Sequence, residues 1–117
     1  MKIVNFAEMN SELNRFVAEI RDIHIQQDRL RFRKNLERIG EVMSYEISKD
    51  FRYSEKLVTT PLGTARVNTA DDKIVIGTIL RAGIPYHQGF LNYFDRAENA
   101  FVSAYRKYKD KLNFEIF

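Results

Sequence analysis

Leu80-Arg81-Ala82-Gly83 is the stretch of this sequence best placed to do chemistry. It stands directly behind an apolar run, Ile74, Val75, Ile76, Ile79 and Leu80, and ahead of Ile84-Pro85. A run of that length, rich in β-branched residues, predicts a strand buried on both faces, the usual state of a parallel strand in an α/β domain. Proline suits the first turn of a helix, and Tyr86, Phe90, Leu91 and Phe94 would be that helix's apolar residues. The reading is strand, tight loop, helix, with one guanidinium in the loop. Ligands of open α/β sheets bind at the carboxyl ends of the strands. A glycine-bearing loop before a helix also offers backbone N–H groups to an anion. The same four residues read equally as a surface arginine at a turn. No GK[ST] follows at Walker A spacing and no GxGxxG is present. The residues by themselves reach an anion site at a βα switch point and stop there.

A second apolar strand is expected over Ala100 to Tyr105. Two strands and the helix between them make a right-handed βαβ unit, whose carboxyl ends lie side by side, so Arg81 and Arg106 converge on one edge. The other candidates are weaker. His24 and His87 are the only histidines, each without a metal-spaced partner, and each reads as a hydrogen-bonded structural residue. Asp71 and Asp72 are adjacent, so an extended backbone points them opposite ways. No Ser/His/Asp arrangement is readable.

The elements that must position these residues follow from spacing. Lys2 to Phe6 reads as a short strand or extended arm. Asn10 or Ser11 is placed to cap a first helix, whose face carries Leu13, Phe16, Val17 and Ile20. Asp22 to Asp28 is a polar break. A second helix is expected from Arg29 to Ser48, with a packing stripe of Phe32, Leu36, Ile39, Met43 and Ile47. Its Arg29, Arg31, Arg33, Lys34 and Arg38 read either as an anion or nucleic-acid patch or, preferably, as a solvated face partnered by Glu37 and Glu41. Basic residues at its start oppose the helix dipole, which calls for an acidic neighbour such as Asp28 or a residue of another subunit. Lys56 to Thr60 and Thr64 to Val67, joined by Pro61-Leu62-Gly63, predict a hairpin. A lone hairpin is marginal in water, so it should pack on its own domain or on a second subunit. Lys107 to Asn113 is charged and aperiodic, which predicts a mobile loop, and Phe114 to Phe117 starts another β-like run.

One hundred and seventeen residues, 44% of them hydrophobic, suffice for one domain with a core. The absence of cysteine excludes disulfides and thiolate metal sites and fits a reducing cytoplasm. The N-terminus lacks the apolar segment of a signal peptide, and no apolar run approaches the ~20 residues of a membrane span. A net charge of +3 and a pI near 9.2, with 16 acidic residues interspersed, argue only weakly for nucleic acid and suit phosphorylated small molecules equally.

Thr78-Ile79-Leu80-Arg81-Ala82-Gly83 resembles the ILRAG motif of uracil phosphoribosyltransferases. Met1-Lys2-Ile3-Val4 is similar to that family's start. Arg31-Phe32-Arg33 and Ser44-Tyr45-Glu46 resemble its (K/R)xFR and TYE segments, and Ala104-Tyr105-Arg106 its MYR segment. Order and spacing agree over nearly the whole chain. The resemblance implies a type I phosphoribosyltransferase fold, an α/β domain with a Rossmann-like parallel sheet, present as its N-terminal portion. That portion would divide into a helical segment (1–52), a hairpin arm (53–70) and the start of the α/β core (73–117). It implies conversion of uracil and phosphoribosyl pyrophosphate to UMP and pyrophosphate, with Arg81, Ala82, Gly83 and Arg106 on the pyrophosphate. Mg²⁺ would be held through substrate and water, not by protein side chains, and the arm would join a homodimer. It also implies a cis Leu80–Arg81 bond, with Gly83 supplying the flexibility to rejoin the helix. The family's ribose-phosphate signature, DPMLATGGS or close to it, and its uracil-reading segment would lie beyond Phe117, so the chain by itself is expected to be inactive. Two rival readings are a non-catalytic, self-associating fragment and an RNA-binding regulator of the same fold.

Overall fold

The computed structural model describes residues 1–108 and 114–116. An extended N-terminal segment, with one 3₁₀ turn at Phe6–Glu8, takes the place of the short strand considered for Lys2 to Phe6. Helix α1 runs Leu13–Arg21 and α2 Arg29–Ser48, separated by a 3₁₀ turn at Ile25–Gln27. A hairpin follows, β1 (Tyr53–Thr60) and β2 (Gly63–Ala70). The βαβ unit is β3 (Val75–Leu80), α3 (Ile84–Tyr93) and β4 (Glu98–Ser103). A short antiparallel pair, β5 (Arg106–Tyr108) and β6 (Phe114–Ile116), ends the described chain. Lys107 and Tyr108 are therefore strand residues, and the rest of the expected loop, 109–113, lies outside the described residues.

Helix α2 has the predicted bounds because its signals are local. Asp28 is the N-cap, and its carboxylate accepts from the Arg31 N–H at 3.1 Å. The acid demanded by the basic first turn is this cap together with Glu19 of α1, which accepts from Arg31 at 3.2 Å and from Asn35 at 2.7 Å. Lys34 lies 3.8 Å from Glu37, and the Arg38 guanidinium sits over the Phe16 ring. Glu41 accepts from Asn92 of α3, not from α2's own cations. The α1 cap differs from expectation. Glu12 holds the N-cap position, and Ser11 instead accepts from the Leu13 N–H at 3.3 Å.

Helices α2 and α3 form the tightest contact. A Cβ on Gly40 would come 2.5 Å from the Tyr86 carbonyl oxygen, and one on Gly89 would run into the Glu37 carbonyl oxygen. Ser44 is fully buried and donates to the Gly40 carbonyl at 2.8 Å. Missing side chains let the backbones touch, and that contact fixes the seat of α3 on α2.

Strands β3 and β4 are parallel, in the register Val75↔Glu98 to Leu80↔Ser103. Both ends of β4 fall about two residues earlier than expected. The expectation that β3 is buried on both faces is also corrected. Ile76 is buried, but Val75 and Ile79 are 57% and 64% exposed. Among the described residues β3 pairs with β4 alone and packs against α3 on one face, so alternate side chains remain in water.

The hairpin is longer than predicted, eight residues a strand around Pro61-Leu62. Its strands pair with each other and share no extensive packing with any other element. Leu57 is 65% exposed and Leu62 fully exposed. The Arg52 N–H donates to the Asp72 carboxylate at 3.2 Å, which closes the base of the arm. The molecule is elongated, 68 × 30 × 30 Å.

Candidate functional site

The turn from β3 to α3 is built from Arg81, Ala82 and Gly83. The Gly83 N–H donates to the Ile79 carbonyl (3.2 Å), Ile84 N–H to Arg81 (3.1 Å) and His87 N–H to Gly83 (2.8 Å). The Leu80–Arg81 peptide bond is cis, as the resemblance implied. Gly83 is the N-cap of α3 with φ −76° and ψ −7°, and Pro85 lies in the first turn. That backbone is open to any residue, so flexibility is not why glycine stands here. Space is the reason. A Cβ would lie 2.8 Å from Thr78 Cγ2 and 2.9 Å from the Ile79 carbonyl oxygen. Arg81 and Ala82 are exposed. Among the described residues the Arg81 guanidinium has no hydrogen-bond or ion-pair partner, so a permanent charge with a planar donor fork faces solvent at the carboxyl edge of the sheet.

The register pairs Leu80 with Ser103, so β3 and β4 end side by side. Arg81 is one residue past the first end. Arg106 opens β5, three residues past the second.

Behind the turn lies a hydrogen-bonded group of which the sequence singled out His87 alone. His87 of α3 is 5% exposed. Its Nε2 is 2.7 Å from Asn99 Oδ1 on β4, and its Nδ1 is hydrogen-bonded to Thr78 Oγ1 on β3. A carboxamide oxygen only accepts, so Nε2 carries the proton and Nδ1 accepts from the threonine hydroxyl. The ring stacks on Phe101, centroids 4.9 Å apart. The structural reading of His87 therefore holds. A signal was present: Thr78 interrupts the inward row Ile76-Thr78-Leu80, and His87 interrupts an apolar helix face. Two polar breaks in facing core positions require each other.

A hollow of about 460 Å³ lies between β3 and the helices, walled by Ile47, Phe51, Ile76, Tyr86, Phe90 and Phe94. Arg81 does not line it. The Tyr86 hydroxyl donates to Met43 Sδ at 2.6 Å, and burial pushes its pKa up. Among the described residues no three His, Cys, Asp or Glu side chains group to hold a metal ion, and no helix is long and apolar enough to cross a membrane.

Comparison with known proteins bears on what this edge serves. The family model for uracil phosphoribosyltransferase matches residues 9–116. A uracil phosphoribosyltransferase of Porphyromonas gingivalis is 62% identical over 116 residues, covering 99% of this chain and 54% of that protein. One from Methanococcus vannielii is 37% identical over 95 residues, covering 80% of this chain and 41% of its own. A solved structure of an Aquifex aeolicus protein superposes with a TM-score of 0.67 at 30% identity, covering 92% of this chain and 52% of that one. The chain thus spans about half the length of the curated relatives it matches.

Proposed function

Because the chain belongs to the uracil phosphoribosyltransferase family, we propose that it supplies the pyrophosphate-holding part of an enzyme that moves ribose 5-phosphate from phosphoribosyl pyrophosphate to uracil. The single observation that carries this reading is the Arg81 guanidinium, exposed and without a partner among the described residues, on a turn at the carboxyl edge of a parallel strand pair. In the reaction the anomeric carbon–oxygen bond to pyrophosphate breaks and its electron pair leaves with the pyrophosphate. A bond forms between that carbon and a ring nitrogen of uracil, whose proton is lost, and UMP results. Positive charge grows on the ribose as negative charge leaves, so the protein's work is positioning and electrostatic stabilisation. Arg81 and Arg106 hold the pyrophosphate by charge-assisted, two-pronged hydrogen bonds, and the backbone of Ala82 and Gly83 assists. The Gly83 N–H is engaged with Ile79 in the ligand-free turn, so its share requires the turn to adjust. Mg²⁺ would enter on the substrate's phosphates.

The ribose-phosphate and uracil contacts belong, in this proposal, to sequence outside these residues. The working form is a cytoplasmic homo-oligomer, a dimer, joined through the exposed hairpin. A monodisperse monomer in light scattering at tens of micromolar would count against that assembly.

Calorimetric titration with phosphoribosyl pyrophosphate tests the site. Hydrogen bonds to charged groups contribute about 1.5–3 kcal/mol, so Arg81→Ala and Arg106→Ala should each weaken binding by roughly tenfold or more. Unchanged affinity in Arg106→Ala removes that residue from the site. Residues 1–117 alone should form no UMP from uracil and phosphoribosyl pyrophosphate, and measurable UMP would place the missing contacts within this chain.

A further inference from the structure

We propose that His87 is a positioning residue for the anion-binding turn, acting through the side chain of Thr78. The inference deepens the reading of Arg81–Gly83 as a pyrophosphate site and rests on it for its ligand.

The geometry runs through three contacts. Thr78 presents two different groups to two different neighbours. Its Oγ1 is hydrogen-bonded to His87 Nδ1, and its Cγ2 is the atom that a Cβ on Gly83 would meet first. Threonine is stiff at χ1 because both groups branch from Cβ. Fixing the hydroxyl therefore fixes the methyl. The methyl, with the Ile79 carbonyl, closes off the space beside Gly83 that a Cβ would need, and Gly83 is the third residue of the turn and the N-cap of α3. His87 is itself fixed from the other side, by Asn99 of β4 and by stacking on Phe101. Its own N–H returns to the Gly83 carbonyl at 2.8 Å. The turn is thus gripped twice by one residue, directly through the backbone and indirectly through Thr78. Strand β4, helix α3 and strand β3 are joined behind a turn whose outward residues, Arg81 and Ala82, have no such support of their own.

This arrangement differs from a pin that only holds α3 on the sheet. Apolar packing would serve that purpose without burying an imidazole, both of whose ring nitrogens must keep their hydrogen bonds to avoid a desolvation penalty. The polar relay adds direction, since it selects one rotamer of Thr78.

The test separates the turn from the fold and from the ligand. In His87→Asn the side-chain oxygen stands near the position of Nδ1 and still accepts from Thr78. In His87→Gln the amide nitrogen stands near Nε2 and still donates to Asn99, but the Thr78 hydroxyl is left without its acceptor. Amide hydrogen exchange in the complete chain is read at Gly83 and Ile84, with Ile76 of β3 as the reporter of the fold. His87→Gln and Thr78→Val should quicken exchange at Gly83 and Ile84 at least tenfold more than at Ile76. His87→Asn should restore most of the difference. Affinity for inorganic pyrophosphate should follow the same order, with His87→Gln weaker than His87→Asn. If Gly83, Ile84 and Ile76 quicken together in every variant, His87 is only a structural pin and the proposal falls. It falls equally if Gln and Asn behave alike. If the unsubstituted chain binds no pyrophosphate, the anion reading of Arg81 fails, while exchange at Gly83 still decides whether His87 positions the turn.

Discussion

The α2–α3 crossing and the β1–β2 hairpin are built on opposite terms. At the crossing two backbones meet through Gly40 and Gly89, the buried Ser44 hydroxyl donates to the Gly40 carbonyl, and Asn92 donates to both Glu37 and Glu41. Every group there answers to a partner elsewhere in the chain. In the hairpin all eight residue pairs are internal, and the apolar side chains divide between the two faces. Tyr53 and Leu57 lie on one, Val58 and Val67 on the other. Neither face is a continuous apolar stripe, and neither is covered. The crossing is specified by shape, which tolerates no added atom. The hairpin is specified by strand pairing alone, which leaves its surface available to something else.

The largest expected effect sharpens this contrast. Gly89→Ala places a methyl group against the Glu37 carbonyl and the Glu41 N–H. These are backbone atoms and cannot rotate away, so the helices must part. We expect a loss at or above the upper end of the usual overpacking range, about 3 kcal/mol, seen as a lower denaturant midpoint. A change of only a few tenths would mean the crossing is looser than described. Gly63→Ala is the matching change in the hairpin. Gly63 has φ +129° and open space around it, so the cost is conformational, of order 1–3 kcal/mol. Amide exchange should quicken near Thr60 and Gly63 and stay unchanged along α2 and α3. If the helices respond as well, the two regions are coupled and the contrast is wrong.

The smallest effect concerns acid. Glu19 is held below the usual carboxylate range, first by the Asn35 side-chain hydrogen bond and then by Arg31 and Arg15, against a desolvation that raises it. A folded value below the unfolded one contributes stability above the unfolded pKa, near 4.5, and that stability is lost as pH falls through the folded value. The α1–α2 pairing should therefore weaken below about pH 4.5, and Glu19→Gln should flatten that part of the profile. Thermal melting across the acid range checks it.

How much of this was legible depended on how far apart the interacting residues are. Helix α2 was readable because its stripe and the acid at its start, Asp28, are local. The β3–turn–α3 order was readable from one apolar run, one glycine and one proline. The function of Gly83 was misread, since a glycine signals freedom or space alike until its neighbours are known. The Thr78–His87–Asn99 relay was hidden for a different reason. Its members come from three elements, and only their shared oddness as polar residues among apolar ones marks them. The exposed face of β3 shows the reverse limit. The residue pattern describes a strand covered on both sides, and the described elements cover one.

The closed base of the arm has a consequence for how this fold can vary. The Arg52–Asp72 hydrogen bond brings the two ends of residues 53–70 together, and beyond the Tyr53 hydroxyl, which donates to the Ser48 carbonyl of α2 at the foot of the arm, the strands share no extensive packing with the body among the described residues. The loop-closure cost of such an excursion rises only with the logarithm of its length, about 0.6 kcal/mol for each doubling. The arm is therefore a natural site of insertion. It can be lengthened, shortened or exchanged for another sequence with little effect on the helices, so a change in the arm would alter what it meets while the β3–α3 turn stays in place.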